Sequence, residues 1–409
     1  MRHTRQSMNF PELDIRDYDY HLPEENIAQF PPEKRGGSKI LLAHQQPFSI
    51  VGFNELKHHI PKNALLIFNE TKVIPARLIF NKSTGARIEI FLLQPEKNTD
   101  YQLALSSKQS CSWNVLIGNA AKWKSGDLSI GFQITDNTKG ILTARRTSDN
   151  TVLFSWNADI EFSEVLSLLA RVPLPPYIRR DTVMEDRDRY QTVFARNEGS
   201  VAAPTAGLHF TTEQLNELNQ NGIMQIALTL HVGLGTFRPV KGNIADHEMH
   251  TEPFFVSSEQ LNQLTENADR PWIVVGTTTL RALESLYIFA EKIKSGESTA
   301  SAEFNIAQWD KWNSGNTLSR NEAFGILKQL NAGKNIGLFG NTSLFITKGK
   351  PVKTADYLIT NFHQPQSTLL MLVDAFASEH WQKAYEFAIQ NQMRFLSYGD
   401  ACLFKNRFL

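Results

Sequence analysis

The spacing of apolar positions changes twice along the chain. Residues 17–60 are polar and marked by proline (Leu22-Pro23-Glu24-Glu25, then Pro31-Pro32), with one short apolar run at Ile40-Leu41-Leu42. From about 64 to 157 short apolar runs follow one another, as at Ala64–Phe68, Ile88–Leu93, Trp113–Ile117 and Ile141–Ala144. Turn-forming stretches separate them: Ser83-Thr84-Gly85, Lys124–Asp127 and Asn137–Gly140. Short strands at this spacing predict an all-β unit, and a small barrel closes such a unit without exposed edges.

Beyond residue 160 the pattern alternates between helix and strand. Thr211-Thr-Glu-Gln214 predicts a capped helix start with Leu215 and Leu218 as its apolar stripe and Gly222 at its end. A strand over Ile223–Val232 follows. Trp272–Val275 predicts another strand, leading through Gly276-Thr-Thr-Thr279 into a helix over Leu280–Phe289. Tyr357–Thr360 repeats the scheme, leading through Asn361–Ser367 into a helix over Thr368–Ala377. Strand, loop and helix in repetition predict an α/β fold, a mostly parallel sheet flanked by helices. The expected division is an N-terminal segment over 1–62 packing with the α/β domain, an inserted small β-barrel domain over 63–158, and the α/β domain over 159–409. Residues 290–342, rich in Ser, Asn and Gly, read as an insertion with one helix near Glu322–Leu330.

Composition narrows the class. The 409 residues are 41% hydrophobic and 10% aromatic, enough for full cores. Lys plus Arg and Asp plus Glu each number 42, so a coat of positive charge is excluded, though a local basic groove is not. Two cysteines, Cys111 and Cys402, exclude a disulfide framework or a multi-cysteine metal site within this chain. No leader-like apolar stretch follows Arg2 and Arg5, and no apolar run nears the ~20 residues that span a bilayer. A cytoplasmic protein without membrane contact is expected.

Several motifs sit at predicted strand ends, where ligands bind in such sheets. His231-Val-Gly233-Leu-Gly235-Thr-Phe-Arg238 has Arg where a dinucleotide fingerprint needs its third glycine, so a nicotinamide site is disfavoured. His247-Glu-Met-His250 with Glu252 has its histidines three apart rather than four, which favours a hydrogen-bonded pair over a metal site. Gly276-Thr-Thr-Thr279 suits an anion at a helix start as well as it suits simple capping. Arg171-Val-Pro-Leu-Pro-Pro-Tyr177-Ile-Arg179-Arg180, continuing to Arg187, Arg189 and Tyr190, suits phosphate contact and base stacking, with acidic neighbours that also allow a solvated loop. Lys72, Arg77, Lys82 and Arg87 add a second basic stretch. Ala202–Thr211, with small residues and then His209, allows close approach of a ligand and offers an acid–base group.

Taken in order, Ala203-Pro-Thr-Ala-Gly-Leu-His-Phe210, Leu230-His-Val-Gly-Leu-Gly-Thr-Phe-Arg-Pro239, His247-x-Met-His250-x-Glu252 and Gly276-Thr-Thr-x-x-Arg281-x-Leu-Glu284 resemble one family. Leu22–Gln29, Phe68–Arg77, Val172–Tyr177, Asp186–Val193, Leu358–His363, Ser367–Leu372 and Phe395–Ala401 resemble it too, so the likeness covers about residues 17–404. The family is that of S-adenosylmethionine:tRNA ribosyltransferase-isomerases of queuosine biosynthesis. The resemblance implies an α/β domain interrupted by a β-barrel. It also implies transfer and isomerisation of the ribosyl moiety of S-adenosylmethionine onto 7-aminomethyl-7-deazaguanine at the tRNA wobble position, giving epoxyqueuosine-tRNA, adenine and methionine.

On that resemblance His209, His231 and His363 are the catalytic candidates, since forming an ylide beside the sulfonium wants a base of near-neutral pKa. Thr205, Gly207, Gly233, Gly235, Arg238, Thr277, Thr278, Arg281, Glu284 and Asn361 are expected at the substrate, with the methionyl carboxylate at Arg281 or the Thr277–Thr279 helix start. Lys72, Arg77, Arg171, Tyr177, Arg179, Arg187 and Arg189 are expected to meet tRNA. No metal or separate cofactor is expected, because S-adenosylmethionine is consumed as a substrate, and a monomer is expected. Two stretches depart from the family pattern: Ile346-Thr-Lys-Gly-Lys-Pro351 replaces a Tyr-Pro-Gly-Tyr-like run, and 290–342 is longer than in common members. Two other readings stay open, another S-adenosylmethionine-dependent RNA-modifying enzyme and a catalytically weakened tRNA-binding paralogue.

Overall fold

A computed structural model describes residues 13–96, 101–231, 233, 240, 242, 244–298, 301–315, 317–333 and 337–409. The chain forms two compact units, one comprising 1–70, 192–194 and 204–409, the other 71–191 and 195–203.

The larger unit is built on a ten-stranded sheet. Its centre is the parallel set Met224–Leu230, Leu65–Asn69, Trp272–Val275 and Tyr357–Asn361, in that spatial order. Leu65–Asn69 and Trp272–Val275 are buried at every position, as strands covered on both faces must be. Continuous apolar runs therefore mark them, not alternation. This corrects the grouping of Ala64–Phe68 with the barrel strands. An alternating strand has one wet face, whereas this run has none.

Toward its edges the sheet becomes mixed. Antiparallel pairs join Tyr357–Asn361 to Ala401–Lys405, Lys39–Leu42 to Ser49–Gly52, and Glu252–Val256 to both Met224–Leu230 and Leu338–Thr342. The expectation of a mostly parallel sheet thus describes the centre of a mixed one. The stretch read as an insertion supplies two of its strands, Glu303–Ile306 and Leu338–Thr342, and the helix Arg320–Asn331. One predicted helix precedes Met224–Leu230, and one follows each of Trp272–Val275 and Tyr357–Asn361. Thr212–Gln220 carries its capping box, with Gln214 N–H donating to Thr211 Oγ1 at 3.2 Å. Thr277–Ser295 and Thr368–Ala377 follow the next two.

The smaller unit holds a six-stranded antiparallel sheet running from Arg77–Asn81 to Leu128–Thr135. Its strands alternate, burying Leu78, Phe80, Ile88, Ile90 and Leu92. The two end strands approach within 8 Å, so the sheet is nearly closed. Phe162, opening the helix Phe162–Leu169, stacks on Trp156 and packs against Trp113 and Phe154. Among the described residues no helix is long and apolar enough to cross a membrane.

Candidate functional site

The four central strands of the large sheet run the same way, so their carboxyl ends and the loops after them share one edge. Asn69, Leu230, Val275 and Asn361 end these strands. Asn69 fixes the geometry there, its side-chain amide donating to Leu230 O at 2.9 Å and accepting from Leu230 N–H at 3.2 Å.

The loop after Val275 shows why three threonines follow one glycine. Gly276 has φ +87°, a backbone that L side chains rarely adopt, and it turns the chain from strand into helix. Thr279 folds back, its hydroxyl donating to Val275 O at 2.7 Å. Thr277 and Thr278 instead line a small pocket with Arg281, one turn further on. Thr368, the first residue of the helix Thr368–Ala377, lines the same cavity. Two helix N-termini therefore meet at one spot, and each carries partial positive charge. Met249, Leu344, Phe345, Ile346, Leu369 and Leu372 supply the apolar remainder of the wall.

Arg281 gives this cavity its charge. Its residue is only 4% exposed, and burial lowers its pKa to about 10. One guanidinium nitrogen donates to Glu252, while Nε is buried with no hydrogen-bond partner among the described residues. A buried guanidinium N–H left unpaired is costly, so this geometry favours an anionic oxygen in the cavity. Glu252 also receives a bond from His250, Nε2 to Oε1 at 2.8 Å. The hydrogen-bonded reading of the His247–Glu252 motif holds for His250, which has Glu252 as a partner.

Of the three catalytic candidates, His209 closes the 310 turn Thr205–His209 and is 4% exposed. Ser38 Oγ lies 2.8 Å from its Nδ1, and Asn361 Nδ2 lies 3.1 Å from its Nε2. The amide donates to Nε2, so Nδ1 carries the proton and donates to Ser38. Burial, and then the charge of Arg394, push the His209 pKa down to about 3. His363, also buried, holds Thr360 Oγ1 at 2.8 Å through Nε2, and burial lowers its pKa to about 3. His231 begins the loop after Leu230, its N–H bonded to Pro253 O at 3.1 Å. Gly233 follows it among the described residues, whereas Gly235 and Arg238 lie outside them.

The two lowered histidine pKa values have a consequence for stability. The unfolded chain takes up protons at these groups near the ordinary value of 6.5, while the folded chain refuses them down to about 3. Their contribution is thus complete above 6.5 and is lost as pH falls from there toward 3. The slope for the pair reaches about 2–3 kcal/mol per pH unit. Urea unfolding at pH 7.5 and 5 should show a clear fall in stability; equal midpoints at the two values would contradict it.

Other expected substrate residues sit elsewhere. Gly207 is packed, not open to a ligand, since a Cβ there would lie 2.7 Å from Phe194 and 2.9 Å from Thr192. Thr205 opens the same turn and is half-buried. Glu284 is fully buried and anchors structure: Oε1 accepts from Lys353 N–H, Thr354 N–H and Thr354 Oγ1 at 2.8–2.9 Å, and Oε2 from Lys311. The altered run near 346–351 keeps Ile346 in the cavity wall, while Lys350 donates to Ser314 O at 3.2 Å and Lys348 lies 3.5 Å from Asp17.

In the smaller unit the basic residues divide. Lys72 pairs with Glu198 at 2.8 Å, and Arg77 and Arg87 share Glu89 at 2.7 and 3.1 Å. Arg180 grips the buried Asp186 with both nitrogens at 2.7 Å, and Arg187 donates to Ser167 O. Arg171, Arg179 and Arg187 are exposed, and Tyr177 and Arg189 are half-buried.

Sequence reasoning missed Glu252, His250, Met249 and Thr368. Only the placing of Ser367–Leu372 and His247–Glu252 among the ordered motifs pointed toward them.

A family model described as "Queuosine biosynthesis protein" matches residues 15–404. A protein of Halothermothrix orenii named S-adenosylmethionine:tRNA ribosyltransferase-isomerase is 38% identical over 96% of this chain and 99% of its own. Proteins of the same name from Treponema denticola and Trichlorobacter lovleyi are 38% and 35% identical, each over 95% of this chain and 99% of theirs. With the motif order and strand-end placement described above, the chain belongs to the queuosine biosynthesis protein family.

Proposed function

We propose that this protein transfers and isomerises the ribosyl part of S-adenosylmethionine onto 7-aminomethyl-7-deazaguanine in tRNA, releasing adenine and methionine. Relatives that bear the ribosyltransferase-isomerase name match nearly the whole chain. The structural observation that carries the reading is the pocket where Arg281, its buried Nε without a hydrogen-bond partner among the described residues, meets two helix N-termini. A carboxylate there gains a charge-assisted bond from Arg281 and the field of both helices. Beside it, Met249, Leu344 and Leu369 suit a thioether chain. The methionyl end fits both halves of the lining. The ribosyl and adenine parts then extend toward the strand-end loops with His231, Asn361 and His363.

The tRNA is assigned to the smaller unit, where Arg171, Arg179 and Arg187 are exposed beside Tyr177 and Arg189. Phosphates would meet the guanidinium groups, and bases the aromatic ring. Lys72 and Arg77, already paired with carboxylates, contribute less. The protein is further proposed to act as a cytoplasmic monomer without a separate cofactor.

Chromatography of the small products tests this reading. Incubation with S-adenosylmethionine and tRNA carrying the aminomethyl base should release adenine and methionine in equal amounts, and only with that tRNA. S-adenosylhomocysteine would indicate methyl transfer instead, and binding without products a non-catalytic relative.

A further inference from the structure

The outer face of the smaller unit's sheet carries apolar side chains where its alternation leaves room for polar ones. Leu78, Phe80, Ile88, Ile90 and Leu92 fill the inside, so Arg77, Ile79, Arg87, Glu89 and Phe91 point outward. Outward positions on a sheet with one wet face are ordinarily polar. Phe91 breaks that rule, and the register places it in a row. Arg77 lies opposite it on one neighbouring strand and Leu116 on the other. Arg171 extends the row, exchanging two backbone hydrogen bonds with Arg77 at 3.0 and 2.8 Å. Directly paired residues project to the same face, so Arg171, Arg77, Phe91 and Leu116 share one surface. Phe91 and Leu116 are half-buried there and Arg171 is exposed.

Arg77 is held flat in this row. Its guanidinium carbon sits over the Phe91 ring, 5.4 Å from the ring centre. Nε and one terminal nitrogen donate to the same oxygen of Glu89 at 3.0 and 2.7 Å, while Arg87 pairs with the other oxygen at 3.1 Å. Glu89 therefore answers the charge of Arg77, which makes it a weak phosphate contact. The same bonds fix the plane of the guanidinium beside the ring, so little freedom is left to lose on binding. Among the described residues of this row and its neighbours, Arg77, Arg87 and Arg171 stand with one carboxylate, Glu89, and positive charge is in excess.

We propose that Phe91, with Arg77 laid over it, is a stacking platform for an unpaired base of the RNA substrate, and that Arg171 and Arg87 take the phosphates beside that base; this rests on the tRNA reading above. Bases stack on aromatic rings and on guanidinium planes alike, and every base has such a face. Leu116 widens the apolar surface on the far side of the ring. The platform thus grips a loop of tRNA by shape and stacking, while the arginines at its rim fix the backbone. Glu89 is a positioning residue, acting through Arg77.

Fluorescence anisotropy with tRNA bearing the aminomethyl base, over a series of salt concentrations, tests this on variants shown to be folded by circular dichroism. Wild-type protein that fails to bind this tRNA overturns the tRNA reading, and the platform with it. Given wild-type binding, Phe91→Ala should weaken affinity about tenfold or more while the slope of log Kd against log salt keeps its wild-type value, since no phosphate contact is lost. Arg171→Gln should instead lower that slope by about one. Arg77→Lys, a surface change that keeps the charge but not the plane, should cost about fivefold in affinity at an unchanged slope. Affinity within twofold of wild type in either Phe91→Ala or Arg77→Lys would overturn the platform. So would wild-type dimers in sedimentation that Phe91→Ala converts to monomers with RNA affinity intact, which would give this face to a second copy of the chain.

Discussion

Replacing Arg281 with Met should weaken S-adenosylmethionine binding about 10²–10³-fold, the loss expected when one partner of a buried charge-assisted contact is removed. Arg281 is buried, its pKa is lowered by desolvation, and Glu252 satisfies only part of its guanidinium. A ligand carboxylate completes that set, which is why the effect falls on binding. Removing the cation also leaves Glu252 without its ion-pair partner, so the melting temperature should drop and binding must be measured on protein shown to be folded. Arg281→Lys separates the two effects. A lysine keeps charge beside Glu252 but cannot present the planar fork, so affinity should fall about tenfold with a smaller loss of stability. Calorimetric titration with S-adenosylmethionine reads both variants. Affinity within threefold of wild type in both would remove the carboxylate from this cavity.

The second large effect concerns stability rather than binding. Lys311 and Glu284 form an ion pair with side chains 1% and 0% exposed. Lys311→Met should cost about 3–5 kcal/mol, because it leaves a buried carboxylate without its counter-charge. The three bonds from Lys353 and Thr354 remain and keep the cost from exceeding that range. Adding Glu284→Gln to Lys311→Met removes the stranded charge and should recover part of the loss. Denaturant unfolding measures the energies, and kcat/KM of the folded fraction should stay within about threefold for the single variant. A stable Lys311→Met protein with collapsed kcat/KM would instead place Glu284 at the substrate, as the family resemblance first suggested.

These two residues show where sequence is legible and where it is not. The capping box at Thr211–Gln214 is local, both halves lying within one turn, and the sequence displays it whole. The Gly276 turn and the helices at Thr277 and Thr368 are equally local. Partners across the fold are not. His209 reads as a free acid–base group until Ser38 and Asn361, 171 and 152 residues away, take both its nitrogens. Glu284 reads as a ligand contact until Lys311 and Thr354 reach it. Lys72 and Arg77 read as phosphate contacts until Glu198 and Glu89 fold beside them. The same blindness hid the site's most useful group. Nothing in His247-x-Met-His250-x-Glu252 says that Glu252 will turn to Arg281, 29 residues on.

Strand texture follows the same division. Alternation in the smaller unit's strands reports one buried face, which a local pattern can carry. Residues 65–68 are apolar throughout because the strand is buried on both faces, a fact of the whole fold and not of the segment. The antiparallel edges of the large sheet depend likewise on pairings between distant segments, such as Tyr357–Asn361 with Ala401–Lys405.

The central claim, that the ribosyl group and not the methyl group of S-adenosylmethionine reaches RNA, is tested most directly by label transfer. S-adenosylmethionine labelled in the ribose, and separately in the methyl group, is incubated with the protein and tRNA bearing 7-aminomethyl-7-deazaguanine. Ribose label should enter the tRNA while methyl label leaves in free methionine. Methyl label in the tRNA, with ribose label retained in S-adenosylhomocysteine, would contradict it.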